Sequence, residues 1–141
     1  MSENNNEIII YTDGGSQGNP GPAAIGALIK MNSEEKEEYN KRIGEATNNI
    51  AEYKAAIFGL EKLKQKIGKE KASEKSIKLK SDSELLVNQV QGKYKVKSDN
   101  LKELFIDLWN IMQDFKSVEF ELIPREDNQA ADRLVNKSLF S

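Results

Sequence analysis

Four carboxylates stand in four separate local settings along this chain: Asp13 at the end of an apolar run, Glu52 within a helical pattern, Asp82 at the end of a second strand-like run, and Asp132 near the C-terminus. Brought together, they form a divalent-metal site. Like charges a few ångströms apart raise one another's pKa until protons or a cation neutralise them. A hard, oxygen-seeking ion such as Mg²⁺ suits an all-carboxylate donor set. The 141 residues include no cysteine and no histidine. That excludes disulfides, thiolate zinc sites and thiol nucleophiles, together with imidazole bases and histidine-zinc centres. Chemistry has to rest on carboxylates, lysines, hydroxyls or bound metal.

Each acid also has a plainer reading. Asp13 precedes a glycine, and Asp-Gly is an ordinary turn dipeptide, yet ligand sites of open α/β sheets form at the carboxyl ends of strands. Glu52 shares a helix face with Ala56, Leu60, Leu63 and Ile67, so its carboxylate points toward the core. A buried carboxylate needs a partner, a proton or a metal. The alternative is a first-turn glutamate that complements the helix dipole. Asp82 lies in Ser81-Asp82-Ser83-Glu84, which satisfies a capping box with Ser81 as the cap. Asp132 falls inside the last helical stretch, where aspartate is a poor helix former but is common on a solvated face.

The elements that must position these acids follow from periodicity. Residues 7–13 read as a strand, GGSQGNPGP as a long turn, 23–31 as a second strand, and the more polar 36–46 as an exposed edge strand. A helical pattern runs over 48–67, followed by a charged linker at 68–76, a strand at 77–81 and a helix over 81–90. Leu101, Leu104, Phe105, Leu108, Ile111, Met112 and Phe115 form an amphipathic helical stripe. Residues 118–123 alternate as a strand with Val118, Phe120 and Leu122 on one face, stopped by Pro124, and a last helix covers 127–139. The order βββαβααβα predicts an α/β domain: an antiparallel meander of three strands, continued by two strands reached through helical crossovers. Residues 1–6 read as a disordered tail, and 7–141 as one domain.

With 21 basic and 23 acidic residues the net charge is −2, so nucleic-acid binding would have to be local rather than driven by bulk charge. No run approaches the ~20 apolar residues of a membrane span, and MSENNNE lacks the apolar centre of a signal peptide. A soluble, cytoplasmic monomer is expected.

The segments around the acids converge on one family. YTDGGSQGNPGPAAIGALI at 11–29, TNNIAEYKAAIFGL at 47–60, LKSDSELLVNQV at 79–90 and IPREDNQAADRLVN at 123–136 resemble type 1 ribonuclease H, and the match runs over about 7–139. The resemblance implies a ribonuclease H-like fold with a five-stranded mixed sheet flanked by helices. It also implies an endonuclease that cuts the RNA strand of RNA/DNA hybrids, leaving 5′-phosphate and 3′-hydroxyl ends. Asp13, Glu52, Asp82 and Asp132 match the family's ligands for two Mg²⁺ ions, with Mn²⁺ as a substitute. In such enzymes two cations about 3.5–4 Å apart activate a water and stabilise the leaving oxygen. By the same resemblance, Asn19, Asn48 and Asn49 match RNA-contacting positions, and Glu84 stands where many relatives have glutamine. Many relatives carry a histidine before the last acid; this chain has none, and Arg125 or Glu126 are the candidates for its role. The basic protrusion of many relatives is reduced to GKYKVK, whose Lys93, Lys95 and Lys97 are candidates for contact with the DNA strand, and no separate hybrid-binding domain is expected before the first strand. Two alternatives keep the fold: an enzyme that also takes double-stranded RNA, and a catalytically silent nucleic-acid-binding module. The intact quartet of acids argues against the second.

Overall fold

The computed structural model describes residues 7–141; the tail expected over 1–6 lies outside the described residues. Three strands come first: β1 (Glu7–Ser16), β2 (Gly21–Lys30) and β3 (Lys36–Ala46). Helix α1 (Asn48–Ile67), a single-turn α2 (Lys69–Ala72), β4 (Ser76–Ser81), α3 (Glu84–Val90), α4 (Asp99–Met112), β5 (Ser117–Leu122) and α5 (Gln129–Phe140) follow. The strands form one sheet in the order β3-β2-β1-β4-β5. The meander pairs antiparallel, while β4 joins β1 and β5 joins β4 in parallel, each after a helical crossover. The expected mixed sheet of three plus two strands is present.

Helix α1 covers one face of the sheet, with α4 packed against it, and α5 covers β1, β2 and β3 on the other. Sandwiched between two helices, β2 is buried continuously over 23–29, and its unbroken apolar sequence reflects that double covering. In β1 and β4 the apolar residues alternate: Ile8, Ile10, Ile77 and Leu79 enter the core together with Tyr53, Leu60, Leu63, Leu86 and Leu108. At roughly 1.5–3 kcal/mol for each large apolar side chain buried, this layer is what holds α1 on the sheet.

The boundaries differ from the sequence expectation in places that matter to the site. Strand β1 does not stop at Asp13 but pairs with β2 as far as Ser16. The charged linker contains α2, held down by the fully buried Ala72. Helix α3 is capped by Ser83, whose hydroxyl accepts from Leu86 N at 3.2 Å, and not by Ser81, which is still paired in β4. Leu122, expected on one face with Val118 and Phe120, is 45% exposed at the end of the edge strand, whereas Phe120 is buried. The last helix starts at Gln129 rather than 127, because Arg125–Asp127 form a separate 3₁₀ turn and Asn128 links the two.

Candidate active site

The sheet changes character at β1, which has an antiparallel neighbour on one side and a parallel one on the other. Ligand crevices of α/β sheets form at such switch points. The parallel register pairs Tyr11 with Lys80, and β4 ends at Ser81 while β1 continues along β2 to Ser16. Continuing that register sets Asp82 level with Asp13, in the gap that opens where β4 leaves β1.

Helix α1 brings Glu52 to the same gap through a close approach that only glycine allows. A Cβ at Gly14 would lie 2.3 Å from Ala51 O, so the first turns of α1 rest directly on the backbone of β1. Gly14 N–H donates to Glu52 Oε1 at 3.1 Å, and Thr47 caps the helix by accepting from Ile50 N at 3.2 Å. The first turn contains no acid, which removes the dipole-complement reading of Glu52. On the opposite face, Asp13 pairs with Gly26, where a Cβ would lie 2.8 Å from Leu134 Cβ. Helix α5 therefore lies against β2, with Asp132 in its first turn. Strand β3 holds it there: Asn40 Nδ2 donates to Leu134 O at 3.1 Å and Arg42 Nε to Ser138 O at 2.8 Å.

One carboxylate oxygen from each of Asp13, Glu52 and Asp82 falls within 4.8 Å of the others. Asp132 reaches the cluster from the exposed side, close enough for its carboxylate to share a hydrogen bond with Asp13. Burial, then the charges of Asp82 and Asp132, push the Asp13 carboxyl up to about 8, against the donation from Gly14 N–H. Glu52 is pushed well above the usual carboxylate range by burial and by Asp13 and Asp82, while Gly14 N–H and the Arg125 guanidinium pull it down. Carboxylates crowded enough to raise the affinity of Asp13 and Glu52 for a proton are a donor set suited to a divalent cation, which removes the repulsion in a proton's place.

A cleft of about 340 Å³ is lined by Asp13, Glu52 and Asp132, with Ser16, Asn48, Arg125, Val135 and Phe140 among its other walls, while Asp82 lies outside that lining. Arg125 thus stands at the site; Glu126 is exposed in the 3₁₀ turn and is not part of the lining. Asn19 Oδ1 accepts from Asn48 N at 2.9 Å, and Asn48 Oδ1 accepts from Ser16 N at 3.0 Å, so the first turn is tied to the start of α1. Asn49 is exposed in that helical turn. Lys93, Lys95 and Lys97 are exposed in the irregular segment after α3, and Glu84 accepts from Tyr94 Oη at 2.9 Å. The sequence reasoning missed Asn128. It is 1% exposed, and its Nδ2 donates to Thr12 O at 2.9 Å and to Asp82 Oδ2 at 3.4 Å, joining the start of α5 to β1 and to an acid. An asparagine just before a helical run was the available signal, lost because the helix was expected to begin at 127, two residues early.

A family model described as Reverse transcriptase-like matches residues 11–138. A ribonuclease H of Dechloromonas aromatica is 31% identical over 139 residues, covering 94% of this chain and 93% of that protein. A ribonuclease H1 isolated from compost, whose crystal structure is a complex with an RNA/DNA hybrid, superposes with a TM-score of 0.86 at 45% identity, covering 93% of this chain and 95% of that one. A bifunctional protein of Mycobacterium tuberculosis is 38% identical over 135 residues, 94% of this chain. The chain spans 35% of the length of that protein and of the two other mycobacterial relatives it matches. Fold, motif order and similarity agree: this chain belongs to the type 1 ribonuclease H family.

Proposed function

We propose that this chain is an endoribonuclease that hydrolyses the RNA strand of RNA/DNA hybrids, with divalent cations held by Asp13, Glu52, Asp82 and Asp132. The observation that carries the reading is the convergence of carboxylates from β1, α1 and the end of β4 within 4.8 Å, with Asp132 of α5 beside them. Two Mg²⁺ ions, or Mn²⁺ in their place, supply in such a site an activated water and stabilisation of the leaving 3′-oxygen, leaving 5′-phosphate and 3′-hydroxyl ends. The hybrid bound by the compost relative supports the substrate class.

The chain's own residues hold the acids and receive the substrate. Gly14 N–H orients Glu52, and Asn128 Nδ2 steadies Asp82. Arg125, on the cleft wall, offers a guanidinium for charge-assisted hydrogen bonds to a phosphate. Asn19, Asn48 and Asn49 sit where the turn after β1 meets α1, and their amides are the groups available to read a 2′-hydroxyl, the feature that separates RNA from DNA. Lys93, Lys95 and Lys97 provide the local positive charge for the DNA strand in a chain of net charge −2.

Matched duplexes of RNA/DNA, RNA/RNA and DNA/DNA, end-labelled and incubated with Mg²⁺ and then with chelator, test this reading. Cleavage of the hybrid's RNA strand that chelation stops is the expected result. Equal cutting of the RNA duplex would widen the substrate class, and no cutting of any duplex would leave a silent binding module.

A further inference from the structure

The irregular segment 91–98, which carries the three lysines, is anchored from beneath by a buried amide. Gln89 is 5% exposed; its Oε1 accepts from Tyr53 Oη at 2.6 Å and its Nε2 donates to Lys95 O at 2.9 Å. Only this orientation satisfies both ends, since the reversed amide would set its oxygen against the Lys95 carbonyl. Tyr53 itself is 1% exposed and follows Glu52 in α1. Further ties are local: Lys93 N and Tyr94 N both donate to Asn88 O, at 2.8 and 3.2 Å. Val96 packs on the core between the exposed Lys95 and Lys97.

We infer that Gln89 and Tyr53 form a positioning brace, which holds Lys93, Lys95 and Lys97 at a set distance from the helix that carries Glu52 and so aligns the hybrid's DNA strand with the site that cuts its RNA strand. The inference rests on the proposed contact of these lysines with that strand. Neither brace residue touches substrate. Their effect belongs to docking, because without the amide the loop must be ordered at each binding event. Glu52 keeps its own hold on Gly14 N–H and is untouched by the loss.

Steady-state cleavage of a hybrid in Mg²⁺ by Gln89→Met, Tyr53→Phe, the triple Lys93, Lys95 and Lys97→Ala variant, and the triple combined with Gln89→Met tests it. Tyr53→Phe deletes only the hydroxyl and keeps the readout if Gln89→Met folds poorly. Each brace variant should raise KM roughly fivefold, equivalent to about 1 kcal/mol, with kcat within about twofold. In the triple background Gln89→Met should raise KM no further, because coupled residues lose additivity. Unchanged KM in both brace variants, a fall confined to kcat, or a full additional rise in the triple background would overturn the brace. Unchanged KM in the triple variant itself would remove the lysine contact and the brace with it, while leaving the assignment of hybrid cleavage intact.

Discussion

The carboxylate cleft and the lysine segment lie near the same helix and are built in opposite ways. In the cleft the backbone does the placing. Strand register sets Asp82 level with Asp13, a glycine contact seats Glu52, and a second glycine contact seats the helix of Asp132. The lysine segment has no ladder, and what holds it is a few bonds: side-chain bonds from Gln89, Tyr53 and Tyr94, and the donations of Lys93 N and Tyr94 N to Asn88 O. Chemistry that needs oxygens at fixed separations is assigned to the part of the fold that cannot drift. The proposed contact with a charged strand tolerates more slack and would fall to parts that single substitutions can retune.

The sharpest break in this contrast is Asp13→Asn. It leaves volume and backbone intact and removes the central charge, so hydrolysis should fall to background while circular dichroism stays native. In the metal-free protein the variant should melt slightly higher than the parent, because the crowding that pushes Asp13 up to about 8 is relieved. Near-parental cleavage by the folded variant would sink the assignment.

Next in size are two adjacent glycines. Gly14→Ala places a methyl 2.3 Å from Ala51 O, with backbone on both sides and nothing flexible to yield. It should cost about 3 kcal/mol, the upper end of ordinary overpacking, and reduce activity further by dislodging Glu52. At Gly15 the nearest neighbour of an added Cβ is Val135 Cγ1 at 3.7 Å, an ordinary contact. Gly15→Ala should therefore change stability by no more than about 0.5 kcal/mol. Equal effects in thermal denaturation would remove the claim that α1 is seated by contact at Gly14.

A smaller effect separates the regions by pH. With folded Asp13 at about 8 against an ordinary 3.8, the metal-free native state keeps a proton that the unfolded chain releases. Stability from this group is complete below the unfolded value and is lost as pH rises through the folded one. Glu52 is shifted in the same direction. The melting-temperature gap between Asp13→Asn and the parent, in chelator, should widen from about pH 5 to about pH 8 and shrink when Mg²⁺ is added. A gap independent of pH would show that the acids are not crowded in solution.

What could be read in advance follows the same division. The mixed sheet of three plus two strands and the candidate acids were legible because strand alternation, the helical phase of Glu52 and four motifs in sequence are all local patterns. The extension of β1 past Asp13 was not, because Gly14 and Gly15 look like turn residues until the chain that pairs with them is known. The cap of α3 was misread for a related reason: Ser81 and Ser83 are both good caps, and only the pairing of Ser81 with Leu122 keeps the first of them in the strand. Asn128 and Gln89 stayed hidden as bridges, since each acts through partners far away in sequence, such as Thr12 and Tyr53.

The smallest predicted effect concerns the loop that stands in place of a histidine, where neighbouring residues fall on different sides of the same boundary. Arg125 lines the cleft and lowers Glu52's affinity for a proton, so its charge is felt at the acids. Arg125→Ala should raise KM for a hybrid roughly fivefold, about 1 kcal/mol, the size of one exposed charge-assisted contact. Glu126 was an equal candidate from sequence, but it lies exposed in the middle of the short 3₁₀ turn and off the cleft wall. Glu126→Gln should leave kcat and KM unchanged and shift the melting temperature only slightly. Parallel kinetics decide between them. A slower kcat for Glu126→Gln with KM preserved would mean that the turn closes over the cleft during turnover and that Glu126 then moves the proton; no effect from either substitution would leave the acids working without any residue in the histidine's place.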